Sequence, residues 1–187
     1  MKKSIRSIFA SLAALAVMTF TTSTFAFEPD TNNRLQLDVK RAIIDIKRAD
    51  PGIESFFENA AGYAVFPSVG KGGIIIGGAY GKGLVLVNEQ VDGYTTMSQA
   101  TIGLQLGGQK YAQFIFFRDE TALGHFKRGN FEFGAQASAV AITAGASADA
   151  AYDQGVAIFT QAAGGLMFEG TVGGPRFTYE AAYTSDD

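Results

Sequence analysis

Two lysines sit inside glycine runs, Gly70-Lys71-Gly72-Gly73 and Gly77-Gly78-Ala79-Tyr80-Gly81-Lys82-Gly83. A lysine on a glycine-lined turn can set an ammonium and free backbone N–H groups around an anion. The nucleotide version of that chemistry needs a glycine five residues before the Gly-Lys pair and a Ser or Thr directly after the lysine. Ile76 and Gly83 occupy those positions around Lys82, and Val65 and Gly72 around Lys71, so neither run is a phosphate loop. A second set of cations, Lys40, Arg41, Lys47 and Arg48, lies in a helical pattern. Lys40 with Lys47, and Arg41 with Arg48, are seven apart and share a helix face, which gives a local positive edge. Asp38 and Asp45 alternate with them, and Arg34 with Asp38 or Arg41 with Asp45 also makes an ordinary i,i+4 surface pair.

Reactive constellations are not evident. His125 is the single histidine, set beside Lys127 and Arg128 in a predicted helix, and the chain has no cysteine. A hydrolytic triad would have to use His125, and a zinc site would have to rely on unusual ligands. Asp119-Glu120 reads as a helix start and Asp186-Asp187 as a tail, so no acid–base pair follows. The expectation is a protein with no catalytic residue, no metal and no cofactor.

Residues 1–26 read as a cleaved secretory signal. Lys2, Lys3 and Arg6 form its cationic start, Ile8 to Phe20 its apolar centre and Thr24-Phe25-Ala26 its small-residue exit. The apolar stretch of about thirteen residues is short for a bilayer span. The mature chain is expected to begin near Phe27 and to work in the periplasm, free or peripheral on an envelope membrane. Losing those three cations leaves 12 basic against 18 acidic residues, a formal charge of −6. That balance argues against nucleic-acid binding, which depends on a basic surplus. Residues 27–187 suffice for one domain.

These residues must be positioned by two compositional zones, helical over 31–61 and mainly β over 62–183, the second holding all but one of the 23 glycines. Leu35, Val39, Ala42, Ile43 and Ile46 recur at three and four and predict a helix from Arg34 to Arg48. Asp50-Pro51 stops it and opens a shorter helix with Ile53, Phe56, Phe57 and Ala60 inward. Short strands are expected at Tyr63–Phe66, Gly73–Tyr80, Leu84–Val87, Tyr94–Met97, Thr101–Leu106, Ala112–Phe117, Phe131–Ala139, Val156–Thr160, Leu166–Thr171 and Arg176–Tyr183, with Asp92-Gly93 as a hairpin turn. One helix interrupts them at Asp119–Arg128. The fold class is α+β, with N-terminal helices packed on a Gly-rich, strongly curved antiparallel sheet or partly closed β-barrel.

The run Gly62-Tyr63-Ala64-Val65-Phe66-Pro67-Ser68-Val69-Gly70-Lys71-Gly72-Gly73, continued by Gly77 to Gly83, resembles the signature of SYLF-domain lipid-binding proteins. Gln99 to Gln109, Phe114 to Phe117, Phe131 to Ala135 and Gly164 to Gly170 follow in the same order, so the likeness extends from about Leu35 to Tyr183. It implies a non-catalytic module that binds membrane lipid. Eukaryotic relatives bind phosphoinositides and some fungal ones actin; the signal and the acidic charge make anionic envelope phospholipid the expected partner here. Lys71, Lys82, Lys40, Arg41, Lys47 and Arg48 are the candidate contacts. The alternative is an envelope protein that self-associates or binds a protein partner through its Gly-rich β surface, with Gly73–Tyr80 as a poorly defended edge. An integral outer-membrane barrel fits less well, because its strands should run about nine to eleven residues each.

Overall fold

The structure, a computed structural model, describes residues 26–74, 76–129, 139–172 and 174–182. Nearly all of the expected signal, most of the expected strand Phe131–Ala139 and the Asp186-Asp187 tail lie outside the described residues.

The helices form where caps and period agree. Asn33 Oδ1 accepts from Gln36 N at 3.2 Å to start α1 (Arg34–Ala49), which buries Val39, Ala42, Ile43 and Ile46. Asp50 ends it, and Pro51 opens a single 3-10 turn, Pro51–Ile53, that leads into α2 (Glu54–Asn59). Asp119 caps α3 (Glu120–Lys127) by accepting from Ala122 N at 2.9 Å, a bond that holds its carboxyl below the ordinary range.

The strands are fewer and longer than the sequence suggests. They are β1 (Gly62–Gly73), β2 (Ile76–Val87), β3 (Gln90–Phe117), β4 (Val140–Ala141), β5 (Val156–Val172) and β6 (Arg176–Ala181). Gly73–Tyr80 is not one strand, since the β1–β2 hairpin turns inside it. Asp92-Gly93 is not a turn either. The β2–β3 turn is Asn88-Glu89, with φ of 50° and 62°, the two left-handed positions of the tightest hairpin type. Gly93 instead lies within β3, where a Cβ would meet Tyr179 Cε2 at 2.4 Å and Glu180 O at 2.5 Å, so only glycine lets β6 close on it.

The 28-residue β3 organises the sheet. Its first part, to Ile102, pairs with β2; its last part, from Gly107, pairs with β1, and β5 runs beside it from Ile102 to Phe117. The strand therefore rounds the tip of the β1–β2 hairpin, and Gly107, at φ 116°, takes a conformation there that side chains rarely adopt. The sheet does not close into a barrel. It is also mixed, not purely antiparallel, because two-residue β4 runs parallel to β5. β1 and β2 are hydrogen-bonded on both sides, so Gly73–Tyr80 offers no free edge for self-pairing. The strand-length argument against a membrane barrel fails, as β1, β2, β3 and β5 have 12, 12, 28 and 17 residues. What argues against it is the open sheet, whose unpaired edges a hydrocarbon interior does not tolerate.

One end of this sheet is buried on both faces. Tyr63, Val65, Leu84, Leu86, Phe114, Phe116 and Phe159 share a cluster with Val39, Ile43 and Ile46 of α1 and Phe56 and Phe57 of α2. Phe57 meets Phe116 edge-on at 4.9 Å, and Phe56 meets Phe159 at 4.8 Å. The alternate residues Ala64, Phe66, Val85, Ile115, Phe117 and Ile158 form a second cluster with Leu123 and Phe126 of α3. Burial on both faces explains why these strand segments read as unbroken apolar runs. The other end, with the hairpin tip, carries glycines in register across three strands: Gly78, Gly72 and Gly108, then Gly77, Gly73 and Gly107.

Candidate functional site

Two large apolar side chains stand out at the hairpin tip. Ile74 is 67 % exposed and Ile76 is 73 % exposed, with Tyr80 beyond them at 53 %. Exposed apolar groups gathered at one protruding turn are a feature of contact sites more than of a solvated surface.

The register then assigns each lysine to a face, because directly opposed residues share one. Tyr80 lies opposite Gly70, which lies opposite Lys110; Lys82 lies opposite Ser68. Ile76, Tyr80 and Lys82 also follow one another at even spacing along β2, so all belong to the face that carries Lys110. Gly70 would meet nothing within 4 Å if it bore a Cβ, which leaves an open trough between Tyr80 and Lys110. Lys71 lies opposite Ala79 and Gln109 and therefore points to the other face, with Val69. The two glycine-run lysines do not form one pocket.

The helix cations divide as well. Arg34, Arg41 and Arg48 line a groove of about 650 Å³ together with Lys110, Ser68 and Pro67. Its carboxylates are Asp38 and Asp45, which pair with Arg34 at 3.3 Å, Arg41 at 3.9 Å and Arg48 at 3.4 Å. All three guanidiniums keep at least 75 % of their side-chain exposure, and exposed pairs of this kind contribute only ~0–1 kcal/mol, so a phosphate can compete for them. Lys40 and Lys47 line a different cavity. Lys40 donates to the Phe27 carbonyl and pairs with Glu28 at 3.4 Å. Lys47 pairs with Glu54 at 2.9 Å and lies 4.4 Å from the Phe57 ring centroid. These two lysines are structural.

Of the six cations nominated by sequence, Arg41, Arg48 and Lys82 thus share a surface, joined by Arg34 and Lys110, while Lys71, Lys40 and Lys47 do not. The sequence signal for the additional cluster is a charge desert. From Ala60 to Asn88 and from Gly93 to Phe117 there is no Asp or Glu, only Lys71, Lys82 and Lys110. The register adds one acid to this end, Glu169, opposite Gln105.

Nothing in the described residues resembles a reaction centre. His125 is exposed on α3, and no group of three or more His, Cys, Asp or Glu could hold a metal among the described residues. The buried carboxylate Asp50 is structural. Burial works against its charge, but the Ser147 and Gly52 amides, at 2.7 and 3.1 Å, outweigh it and hold the carboxyl below its ordinary range. No helix of the described residues is long and apolar enough to cross a membrane.

Comparison with known proteins bears on the same region. Residues 98–181 match the Ysc84 family, described as Las17-binding protein actin regulator. The chain is also 30 % identical over 138 residues to Beta cell expansion factor A of Aeromonas veronii, a match covering 73 % of this chain and 52 % of that protein. The chain thus spans about half the length of the curated relative it matches.

Proposed function

We propose that this protein, whose residues 98–181 match the Ysc84 family, is a non-catalytic component of the cell envelope that attaches peripherally to anionic phospholipid. The hairpin tip enters the interface, and Lys82, Lys110, Arg34, Arg41 and Arg48 meet the phosphates beside it. The observation that carries this reading is the pair Ile74 and Ile76, exposed at a tip whose flanking strands bear lysines and no acid. Apolar side chains supply insertion, and each cation near an anionic surface contributes ~1 kcal/mol.

In this proposal the expected signal over residues 1–26 directs export, and the protein works in the periplasm. Co-sedimentation with vesicles tests the binding. Attachment to anionic but not zwitterionic vesicles, weakened as salt is raised above the physiological range, supports it; absence of attachment to either refutes it. A protein partner is the second reading, favoured by the family description, which names a protein target. Binding indifferent to head group, or self-association in the absence of lipid, would favour that alternative through the glycine-rich face.

A further inference from the structure

At the end of the sheet opposite the hairpin tip, Phe27 docks into the core beside the β2–β3 turn. Phe27 is buried to 3 % exposure within the same core cluster as α1 and α2, while Ala26 before it is exposed. The Phe27 nitrogen donates to Glu89 Oε2 at 3.1 Å, and the Tyr63 hydroxyl donates to Glu89 Oε1 at 2.9 Å. Lys40 closes the other side by donating to the Phe27 carbonyl. Cavities of about 900 and 510 Å³, both lined by Ala26, Phe27, Asn88 and Glu89, flank the position.

Two features exceed what a neutral amide in mid-chain requires. The carboxylate that the Phe27 N–H meets is on a residue at φ 62°, where glycine or asparagine is the ordinary choice. A third group, Tyr63, orients it. An ammonium supplies more donors and a charge, and charge-assisted bonds are about twice as strong as neutral ones.

We propose that the Ala26–Phe27 bond is the processing site and that Glu89 receives the new N-terminus. An endopeptidase reading the small residue Ala26 directs water across that bond. The C–N bond breaks, Ala26 departs with its carboxylate, and the Phe27 nitrogen takes up protons to become an α-ammonium. The Phe27 ring anchors the chain end in the core, Lys40 fixes its carbonyl, and Glu89 neutralises the charge. Since Phe27 is buried when docked, cleavage precedes docking, and the site seals the mature end against further trimming.

The test begins with N-terminal sequencing and intact mass of the exported protein, expected to start at Phe27; a start at Glu28 or beyond, or a retained Ala26, overturns the proposal. Pulsed acylation near pH 7 then reads the Phe27 amine against the lysines. A one-unit rise in its pKa leaves about tenfold less reactive amine, so modification in the wild type should be about tenfold slower than in Glu89→Gln; equal rates overturn the assignment. Should Glu89→Gln fail to fold, a chain carrying Gly-Ser ahead of Phe27 provides the second comparison. It is expected to melt several degrees below the processed protein and to lose protection of its terminus from aminopeptidase. Identical melting and identical trimming would refute the capture.

Discussion

Replacing Ile74 and Ile76 together by serine isolates the insertion part of the proposed mechanism. Full burial of an isoleucine side chain is worth about 1.5–3 kcal/mol. With 67 % and 73 % of these two residues still in water, the tip can gain about 2–4 kcal/mol on entering a membrane interface. At ~1.4 kcal/mol per decade, the double variant should partition onto anionic vesicles about 30- to 700-fold more weakly. The fold should be indifferent, since exposed substitutions stay within about 0.5 kcal/mol, and equal melting temperatures verify this. Ile76→Trp supplies a direct reporter, because the chain contains no tryptophan; its emission should shift to the blue on adding anionic vesicles. An unchanged partition coefficient in the folded serine variant would refute the reasoning.

Lys82→Glu with Lys110→Glu should weaken attachment to anionic vesicles by about two to four kcal/mol at low salt, from two lost attractions and two added repulsions, and flatten the salt dependence in sedimentation. Lys71→Glu, on the other face, should cost distinctly less; an equal loss would place Lys71 in the site after all. Asp50→Ala removes the acceptor of the Ser147 and Gly52 amides and should destabilise by about 2–4 kcal/mol in urea titrations at neutral pH. The folded Asp50 has a lowered pKa, so its contribution is complete above the unfolded value of ~3.9 and is lost as pH falls through the folded value. The gap between wild type and variant should therefore narrow only at strongly acid pH. Phe116→Ala, between Phe56, Phe57 and Phe159, should cost about 3–5 kcal/mol by the same titration.

The helices were legible because their signals are local. Asn33, Asp50-Pro51 and Asp119 satisfy orphan backbone groups within a few residues, and the apolar period supplies the face. Strand limits were not legible, because glycine in sequence reads as interruption. Here Gly72, Gly73, Gly77, Gly78, Gly107 and Gly108 are matched across strands, so pairing continues through them and the expected pieces of β3 merge. Three consecutive isoleucines look like a strand, yet Ile74 and Ile76 flank a turn; a β-propensity run shows only what fits a sheet, not where the chain reverses. Lys110 escaped notice because it fell between two expected strands, Thr101–Leu106 and Ala112–Phe117. Grouping Arg41 with Lys82 requires the register of β2 against β1 and the seat of α1, which are non-local and have no sequence period.

An acidic protein on an acidic membrane is consistent once charge is placed along the fold. β2 alone, twelve residues long, spans roughly 36 Å at ~3.3 Å per residue. The carboxylate of Glu89 lies past its far end, Asp92 lies beside its last residues, between the partners of Val85 and Leu86, and Glu54 and Glu58 belong to α2, which packs on the doubly buried half. The Debye length at physiological salt is ~8 Å, so a membrane touching the tip is screened from that end by several decay lengths. It responds instead to Lys82, Lys110 and the α1 arginines, which are tempered by Asp38 and Asp45. Net charge of the whole chain then opposes approach only at low ionic strength, where the Debye length reaches ~30 Å, and raising salt should act in two directions. It weakens the close contacts of the cations and also relieves the long-range repulsion, so attachment in this mechanism passes through a maximum at low to intermediate ionic strength. A partition coefficient that rises continuously with salt would assign the binding to the isoleucine tip alone and remove the cations from the mechanism.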